Sequence, residues 1–370
     1  MKRKSTISDE HWMGLALAEA EKGRGFTSPN PVVGAVLVRN GRQLSLGYHR
    51  RVGGPHAEIE ALRKVKNARS ATLFVTLEPC CHTDKRTPPC VDAIVAAGIR
   101  RVVIGCLDPN SKVKGRGIRA LRRAGVETAV GVLEQECREL NTYYNHWIQN
   151  HLPWVLLKVA ASLDGKVALA NGKSRWITSP QSRRLAHRIR SHVDGILVGV
   201  GTVQADNPRL TARHLKTSRQ PLRIILDPAL RISERARVLG KNPGGGCCLV
   251  VSSAKAGGAK ARRLKRRGVE ILPCPRRGSG SFDLKSLLKI LGKRGLVSLL
   301  VEGGPATWSQ FIEQKSFQEL LLFLAPKLLG GDARSFLGPL GLREIHQGPH
   351  LELSYVGGEG PDLVLRYRCP

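Results

Sequence analysis

His56-Ala57-Glu58, then Thr76-Leu77-Glu78-Pro79-Cys80-Cys81, then Pro88-Pro89-Cys90: these stretches decide how the first half of the chain is read. A hydrolytic zinc site takes three protein ligands and keeps a fourth position open for water. His56 and two thiolates supply the three. Glu58 lies two residues after the imidazole, at the start of an expected helix, where a carboxylate can serve the water without binding the metal. Cys80 follows Pro79 at the end of an apolar strand, ATLFVTL at 71–77. Cys81 is the alternative at this place; spacing does not separate the two, and Cys80 is favoured for its position at the strand end. The segment before Cys90 carries Lys85 and Arg86, cations suited to a phosphate.

Outward from these motifs the chain alternates. Ser8 caps a helix over 11–22. A strand is expected at 31–39, and Asn40-Gly41 turns it into a second strand around 44–48. Helix is expected at 57–65, 91–97, 117–124 and 133–148, with strands at 71–77, 101–106 and 126–130. That alternation makes residues 1–150 an α/β layer domain. After His151-Leu152-Pro153 a second series begins at residues 151–370. Strands are expected at 154–161, 195–201, 222–227, 248–252, 296–301 and 319–325. Helices are expected at 180–192 and 303–314, and a closing antiparallel ribbon at 351–355 and 362–367. Residues 241–246 and 276–280 read as loops.

The chain has 370 residues, with 60 Lys and Arg against 29 Asp and Glu, a net charge of +31. Hydrophobic residues make up 41%, enough to exclude wholesale disorder. The charge raises nucleic acid, membranes and small anions as partners. It concentrates at 213–294, which holds 21 basic and 4 acidic residues; that span reads as a solvated face with a contribution to anion binding. No apolar run reaches the ~18 residues of a spanning helix, and the basic N-terminus lacks the apolar core of an export signal. Membrane association is therefore not expected. Nine cysteines, odd in number and with Cys80, Cys81 and Cys90 crowded around His82, suit metal chemistry in a reducing cytoplasm more than a disulfide framework.

His-x-Glu followed by Pro-Cys and a second Cys is the arrangement of zinc nucleobase deaminases. More specifically, the sequence resembles the bifunctional deaminase–reductase family of riboflavin biosynthesis. The stretches that carry the resemblance in the first half are Ser28-Pro29-Asn30-Pro31-Val32-Val33-Gly34-Ala35, Gly54-Pro55-His56-Ala57-Glu58, Glu78-Pro79-Cys80 through Arg86-Thr87-Pro88-Pro89-Cys90, and Asp108-Pro109-Asn110. In the second half they are Lys158 to Gly165, Trp176-Ile177-Thr178-Ser179, Val301-Glu302-Gly303-Gly304-Pro305 and Ala325 to Gly331. The Cys80–Cys90 loop is one residue longer than the usual family form, with Cys81 where Ser is common.

The resemblance implies an N-terminal cytidine-deaminase-like α/β/α zinc domain followed by a dihydrofolate-reductase-like α/β domain that uses NADPH. It implies deamination of a phosphorylated pyrimidine and then reduction of its ribosyl group to ribityl. In the first domain zinc would be held by His56, Cys80 and Cys90, with Glu58 as the proton carrier, while Asn30, His49 and Arg86 would orient the substrate. In the second, Ala160, Trp176, Thr202, Asp206 and the turn Gly304, Pro305, Ala306 and Thr307 would border the dinucleotide. Ser174, Arg190, Leu210, Arg213 and Glu302 would border the substrate, with Arg190 and Arg213 on its phosphate. Lys158 and Asp206 are the candidates for polarising the reacting carbon or relaying its proton; a structural role for Lys158 remains open. A homo-oligomer, dimer or tetramer, is expected.

Three rival readings stand beside this one, the third a regulatory small-molecule sensor, which zinc content without turnover of any pyrimidine would favour. A deaminase of cytidine or tRNA adenosine with an appended basic domain is opposed by the long Cys80–Cys90 loop and the second-half motifs. A nucleic-acid-binding protein is opposed by the complete zinc set, the scarce aromatics and the lack of a stacking motif, so nucleic acid is not an expected partner.

Overall fold

The structure, a computed structural model, describes residues 8–82, 88–213, 219–240, 247–253, 258–278 and 280–370. It divides into two compact units, Met1–His151 and Leu152–Pro370.

In chain order the first unit contains α1 (Asp9–Glu21), β1 (Gly34–Arg39), β2 (Arg42–Tyr48), α2 (Ala57–Leu62), β3 (Thr72–Leu77) and α3 (Cys90–Ala96). It continues with β4 (Arg101–Cys106), α4 (Arg116–Arg123), β5 (Glu127–Val130), α5 (Glu134–Leu140) and α6 (Thr142–Asn150). The strands form one sheet in the order β2-β1-β3-β4-β5. β1 runs antiparallel to β2 and β3, and β3, β4 and β5 are parallel. Both faces are covered. Ala57 and Ala61 of α2, Ile94 of α3 and Leu121 of α4 pack on one face. Trp12, Met13 and Ala16 of α1 and Cys137 of α5 pack on the other. Strands buried on both sides need continuous apolar runs, and TLFVTL and RVVIGC supply them.

Three expected elements are corrected here. The single helix at 133–148 is two helices broken at Asn141, whose side chain pairs with the backbone of Val32 instead of lying along a continuous helix. The first strand starts at Gly34 rather than Pro31. The helix after His56 closes at Leu62, with Arg63 as its C-cap.

The second unit contains β6 (Trp154–Ser162), β7 (Lys166–Ala168), α7 (Pro180–His192), β8 (Gly195–Gly199), α8 (Val200–Asp206), β9 (Leu222–Leu226) and β10 (Cys248–Ser252). It continues with α9 (Ala259–Arg266), β11 (Val269–Pro273), α10 (Leu284–Lys293), β12 (Ser298–Val301), α11 (Pro305–Glu313) and β13 (Glu319–Ala325). It closes with β14 (Arg334–Ser335), β15 (Glu352–Glu359) and β16 (Asp362–Arg368). Nine strands form a sheet in the order β11-β10-β9-β8-β12-β6-β13-β16-β15. The seven from β11 to β13 are parallel, and the β16–β15 ribbon joins antiparallel. α10 and α11 bury Leu284, Leu287, Leu291 and Phe311 on one face. α7, α8 and α9 pack Ile189, Val203 and Leu264 on the other.

The strand expected over 195–201 stops at Gly199, and α8 begins at Val200. A Cβ on Gly199 would lie 2.6 Å from Thr307 Oγ1. The strand end is therefore packed against α11, and the chain turns away into a helix. Of the two expected loops, residues 241–246 lie outside the described residues, and Arg276 bridges Phe282 at the base of a short turn.

Candidate functional sites

The first site gathers at the ends of β3, α2 and α3. His56 is the N-cap of α2, and Cys90 opens α3. His56 Nδ1 lies 3.5 Å from Cys80 Sγ and 3.2 Å from Cys90 Sγ, and the Cys90 N–H points at Cys80 Sγ at 3.4 Å. The three ligand atoms lie within 4.8 Å of one another. Cys80, not Cys81, belongs to this group. Two thiolates and one imidazole at this separation fit a zinc ion with a coordination position to spare.

Glu58 stands beside the trio in the first turn of α2 and is buried, with Oε2 lacking a hydrogen-bond partner among the described residues. Burial pushes its carboxyl above the ordinary value, against the opposing pull of His56. A buried carboxylate oxygen without a donor is costly unless something in the site uses it, and a water held at the metal position would.

Glu78 anchors the strand end that presents Cys80. Its Oε1 accepts the Gly117 N–H at 2.9 Å, and its Oε2 accepts the Gly115 N–H at 2.9 Å. This carboxylate caps the N-terminus of α4, where the helix dipole favours negative charge. Gly117 must be glycine, since a Cβ there would overlap the Pro79 carbonyl oxygen. Gly115 and Gly117 thus hold the cysteine-bearing turn in place.

A cavity of about 560 Å³ opens on the trio, with Asn30, His49, Asp108, Asn110 and Tyr144 among its walls. His49 is 3% exposed, not the surface residue that a histidine near a turn usually is. Its Nδ1 bonds the Pro55 carbonyl at 2.9 Å, and its Nε2 meets the Asn30 amide nitrogen at 3.3 Å. That pattern fits the neutral ring with the proton on Nδ1, and burial holds its pKa below the ordinary value. Asp108 and Tyr144 were not among the expected site residues. Burial pushes the Asp108 carboxyl up to about 6 while the Asn110 N–H and the Tyr144 hydroxyl oppose the rise. Asp108 lay within a quoted motif; Tyr144 carried no sequence signal. Arg86 lies outside the described residues.

The second site lies at the C-terminal ends of the parallel strands, where open α/β sheets bind ligands. A cavity of about 740 Å³ is bordered by Lys158, Ala160, Ser174, Trp176, Leu210 and Arg213, together with Arg190, Glu302, Thr202 and Asp206. An adjoining cavity of about 510 Å³ is bordered by Thr202, Asp206 and Gly304 to Thr307. Every residue expected at the second site therefore borders one of these cavities. The N-terminus of α11 carries no side-chain cap, and Gly304 to Thr307 border the second cavity there, where the helix dipole favours a phosphate. These features fit a dinucleotide.

Arg190 and Glu302 form a two-pronged ion pair, Nε to Oε1 at 2.8 Å and Nη2 to Oε2 at 2.5 Å, and Arg190 Nη1 donates to the Thr211 carbonyl at 3.2 Å. Burial alone would raise the Glu302 carboxyl, but Arg190 outweighs it and holds the group at about 2. All three guanidinium nitrogens of Arg190 are thus engaged within the protein. Each Nη of Arg190 keeps a second N–H, so Arg190 is anchored by Glu302 and still offers donors at the cavity border beside Arg213. Arg213 is pulled down by burial and by the crowding of Arg190, Arg209 and Arg237, a concentration of positive charge suited to an anion. Burial, aided by Arg190, lowers the Lys158 ammonium, while Glu302 opposes the shift. The Ser174 hydroxyl donates to Asp206 Oδ1 at 3.3 Å. Trp176 is 63% exposed, with the Arg183 guanidinium 4.3 Å above its ring.

Comparison with known proteins gives two family matches. Residues 153–365 match the RibD C-terminal domain, and residues 6–106 match the cytidine and deoxycytidylate deaminase zinc-binding region. The riboflavin biosynthesis protein RibD of Aquifex aeolicus is 44% identical, over 97% of this chain and 98% of its own. The RibD protein of Escherichia coli is 38% identical, over 97% and 99%. Among solved structures, Acinetobacter baumannii RibD superposes with a TM-score of 0.87 at 33% identity, covering 98% of this chain and 99% of that one. A diaminohydroxyphosphoribosylaminopyrimidine deaminase/5-amino-6-(5-phosphoribosylamino)uracil reductase from Thermotoga maritima does so with a TM-score of 0.86 at 35% identity, covering 98% of each.

Proposed function

The chain belongs to the RibD family of riboflavin biosynthesis proteins, and from that premise we propose which of its residues carry the two reactions of a bifunctional deaminase and reductase. The first unit is a zinc-binding deaminase, and the second is an NADPH-using reductase. Deamination acts on the phosphorylated diaminopyrimidine, and reduction converts the ribosyl group of its product to ribityl, as the name of the Thermotoga maritima enzyme indicates.

His56, Cys80 and Cys90 hold the zinc, which when bound lowers the pKa of a water toward ~7. Glu58 takes the proton of the attacking water and passes it to the departing amine, which leaves as ammonia. Neutral His49 fixes the Asn30 amide, and the two orient the pyrimidine. In the second unit Ala160, Trp176, Thr202, Asp206 and Gly304 to Thr307 would hold NADPH, which when bound would supply the hydride for the ribose C1′. There the C1′–O4′ bond breaks, and the released oxygen takes a proton. Lys158 and Asp206 hold and deliver that proton, Glu302 steadies Lys158, and Arg190 and Arg213 take the phosphate.

The observation that carries this reading is the trio of ligands with Glu58 buried beside it, its Oε2 without a hydrogen-bond partner among the described residues. The test is Glu58→Gln in the zinc-loaded chain. Ammonia release should stop and NADPH oxidation should starve with the diaminopyrimidine, yet oxidation should persist when deaminated substrate is supplied. Ammonia release at the wild-type rate would overturn the assignment.

A homo-oligomer in the cytoplasm completes the proposal. The outermost ribbon, β15 and β16, exposes Leu353, Val356 and Leu363 on one face, an apolar row that suits a second copy of the chain. No helix among the described residues is long and apolar enough to cross a membrane.

A further inference from the structure

The break between α5 and α6 supports two walls of the deaminase cavity. Asn141 stands at the break and is 3% exposed. Its Oδ1 accepts the Val32 N–H at 2.9 Å, and its Nδ2 donates to the Val32 carbonyl at 2.8 Å. These two hydrogen bonds to the backbone of one residue fix the Asn30-Pro31-Val32 segment, whose Asn30 borders the cavity. Three residues on, Tyr144 donates its hydroxyl to Asp108 Oδ1 at 3.2 Å. The same oxygen accepts the Asn110 N–H at 2.8 Å. Tyr144 thereby fixes the Asp108-Pro109-Asn110 turn, both ends of which border the cavity.

Positions three apart share a helix face. One short stretch therefore braces segments that lie 109 and 36 positions away in sequence. A continuous helix through residue 141 would satisfy local propensity but give up the clamp on Val32. Groups that must meet a substrate in one geometry need such support, because small displacements of a binding group cost affinity.

We propose that Asn141 and Tyr144 are positioning residues for deamination, setting through Val32 and Asp108 the two walls between which the pyrimidine is held. They act on substrate affinity and not on bond cleavage. The proposal rests on the deaminase reading of the first unit.

The test follows ammonia release against diaminopyrimidine concentration in the zinc-loaded full chain. Tyr144→Phe keeps the ring and removes only the hydroxyl. KM should rise about tenfold, the loss expected for one hydrogen bond, with kcat within about twofold. Zinc content and NADPH oxidation of deaminated substrate should be unchanged. Combined with Asp108→Asn, it should add nothing to the effect of Asp108→Asn alone, since residues acting through one another are not additive. Asn141→Ala should raise KM in the same direction; where that variant does not fold, Tyr144→Phe still decides. A KM within about twofold of wild type in Tyr144→Phe, or full additivity with Asp108→Asn, would overturn the proposal. Failure of the wild-type chain to release ammonia would instead overturn the deaminase reading.

Discussion

Arg190 and Glu302 show how a single pair of residues governs the second site. The carboxylate is buried, yet the guanidinium holds it ionised with a pKa of about 2 against an ordinary 4.5. A depressed carboxyl contributes stability above its unfolded pKa and loses it as pH falls through the folded value. The pair therefore stabilises the fold above about pH 4.5 and fades toward pH 2. Arg190→Ala leaves a buried charge without its partner, at a cost of about 3–5 kcal/mol near neutrality. The melting temperature of this variant should lie well below wild type at pH 7, and the gap should narrow as the pH is lowered below about 4.5 toward 2. A gap that does not change with pH would show that the pair has no such electrostatic role. The sequence could not supply this pairing, because the partners are 112 positions apart and no local spacing records them. His56 with Glu58, and Cys80 and Cys90 beside apolar runs, were legible because a metal site imposes residue types at short, fixed intervals. Tyr144 was not legible, since its role rests on one hydroxyl meeting a distant carboxylate.

At the scale of elements, the alternation of strand and helix was readable wherever burial imposed a pattern. Long apolar runs such as ELLLFLA at Glu319–Ala325 became central strands as expected. The misreadings fall where a tertiary contact overrides local preference. Asn141 breaks a helix to pair with Val32, and Gly199 ends a strand against Thr307. The β15–β16 ribbon was anticipated, but the apolar row on its exposed surface was not. A charged side chain on that row should disfavour assembly. Val356→Glu is expected to move the chain from oligomer to monomer in sedimentation, with zinc content retained. An oligomer that sediments unchanged would rule out the ribbon as the contact.

Across the whole molecule, the charge of +31 first suggested nucleic acid. Part of it is now placed. Arg183, Arg209, Arg213 and Arg237 border the larger cavity of the reductase unit, where an anionic ribosyl phosphate would sit. In the basic run of α9, Ala261 and Leu264 turn inward while Arg263 pairs with Glu234 at 2.8 Å. That is an amphipathic helix with a solvated face, and the excess charge there needs no ligand to explain it. The order of the two units along the chain matches the order of the chemistry, deaminase before reductase. The most direct measurement supplies the phosphorylated diaminopyrimidine and NADPH to the zinc-loaded chain and follows ammonia and NADPH oxidation in one reaction. We predict that ammonia appears first, that NADPH oxidation follows after a lag, and that the two reach equal totals. NADPH oxidation that runs without ammonia release would contradict the account.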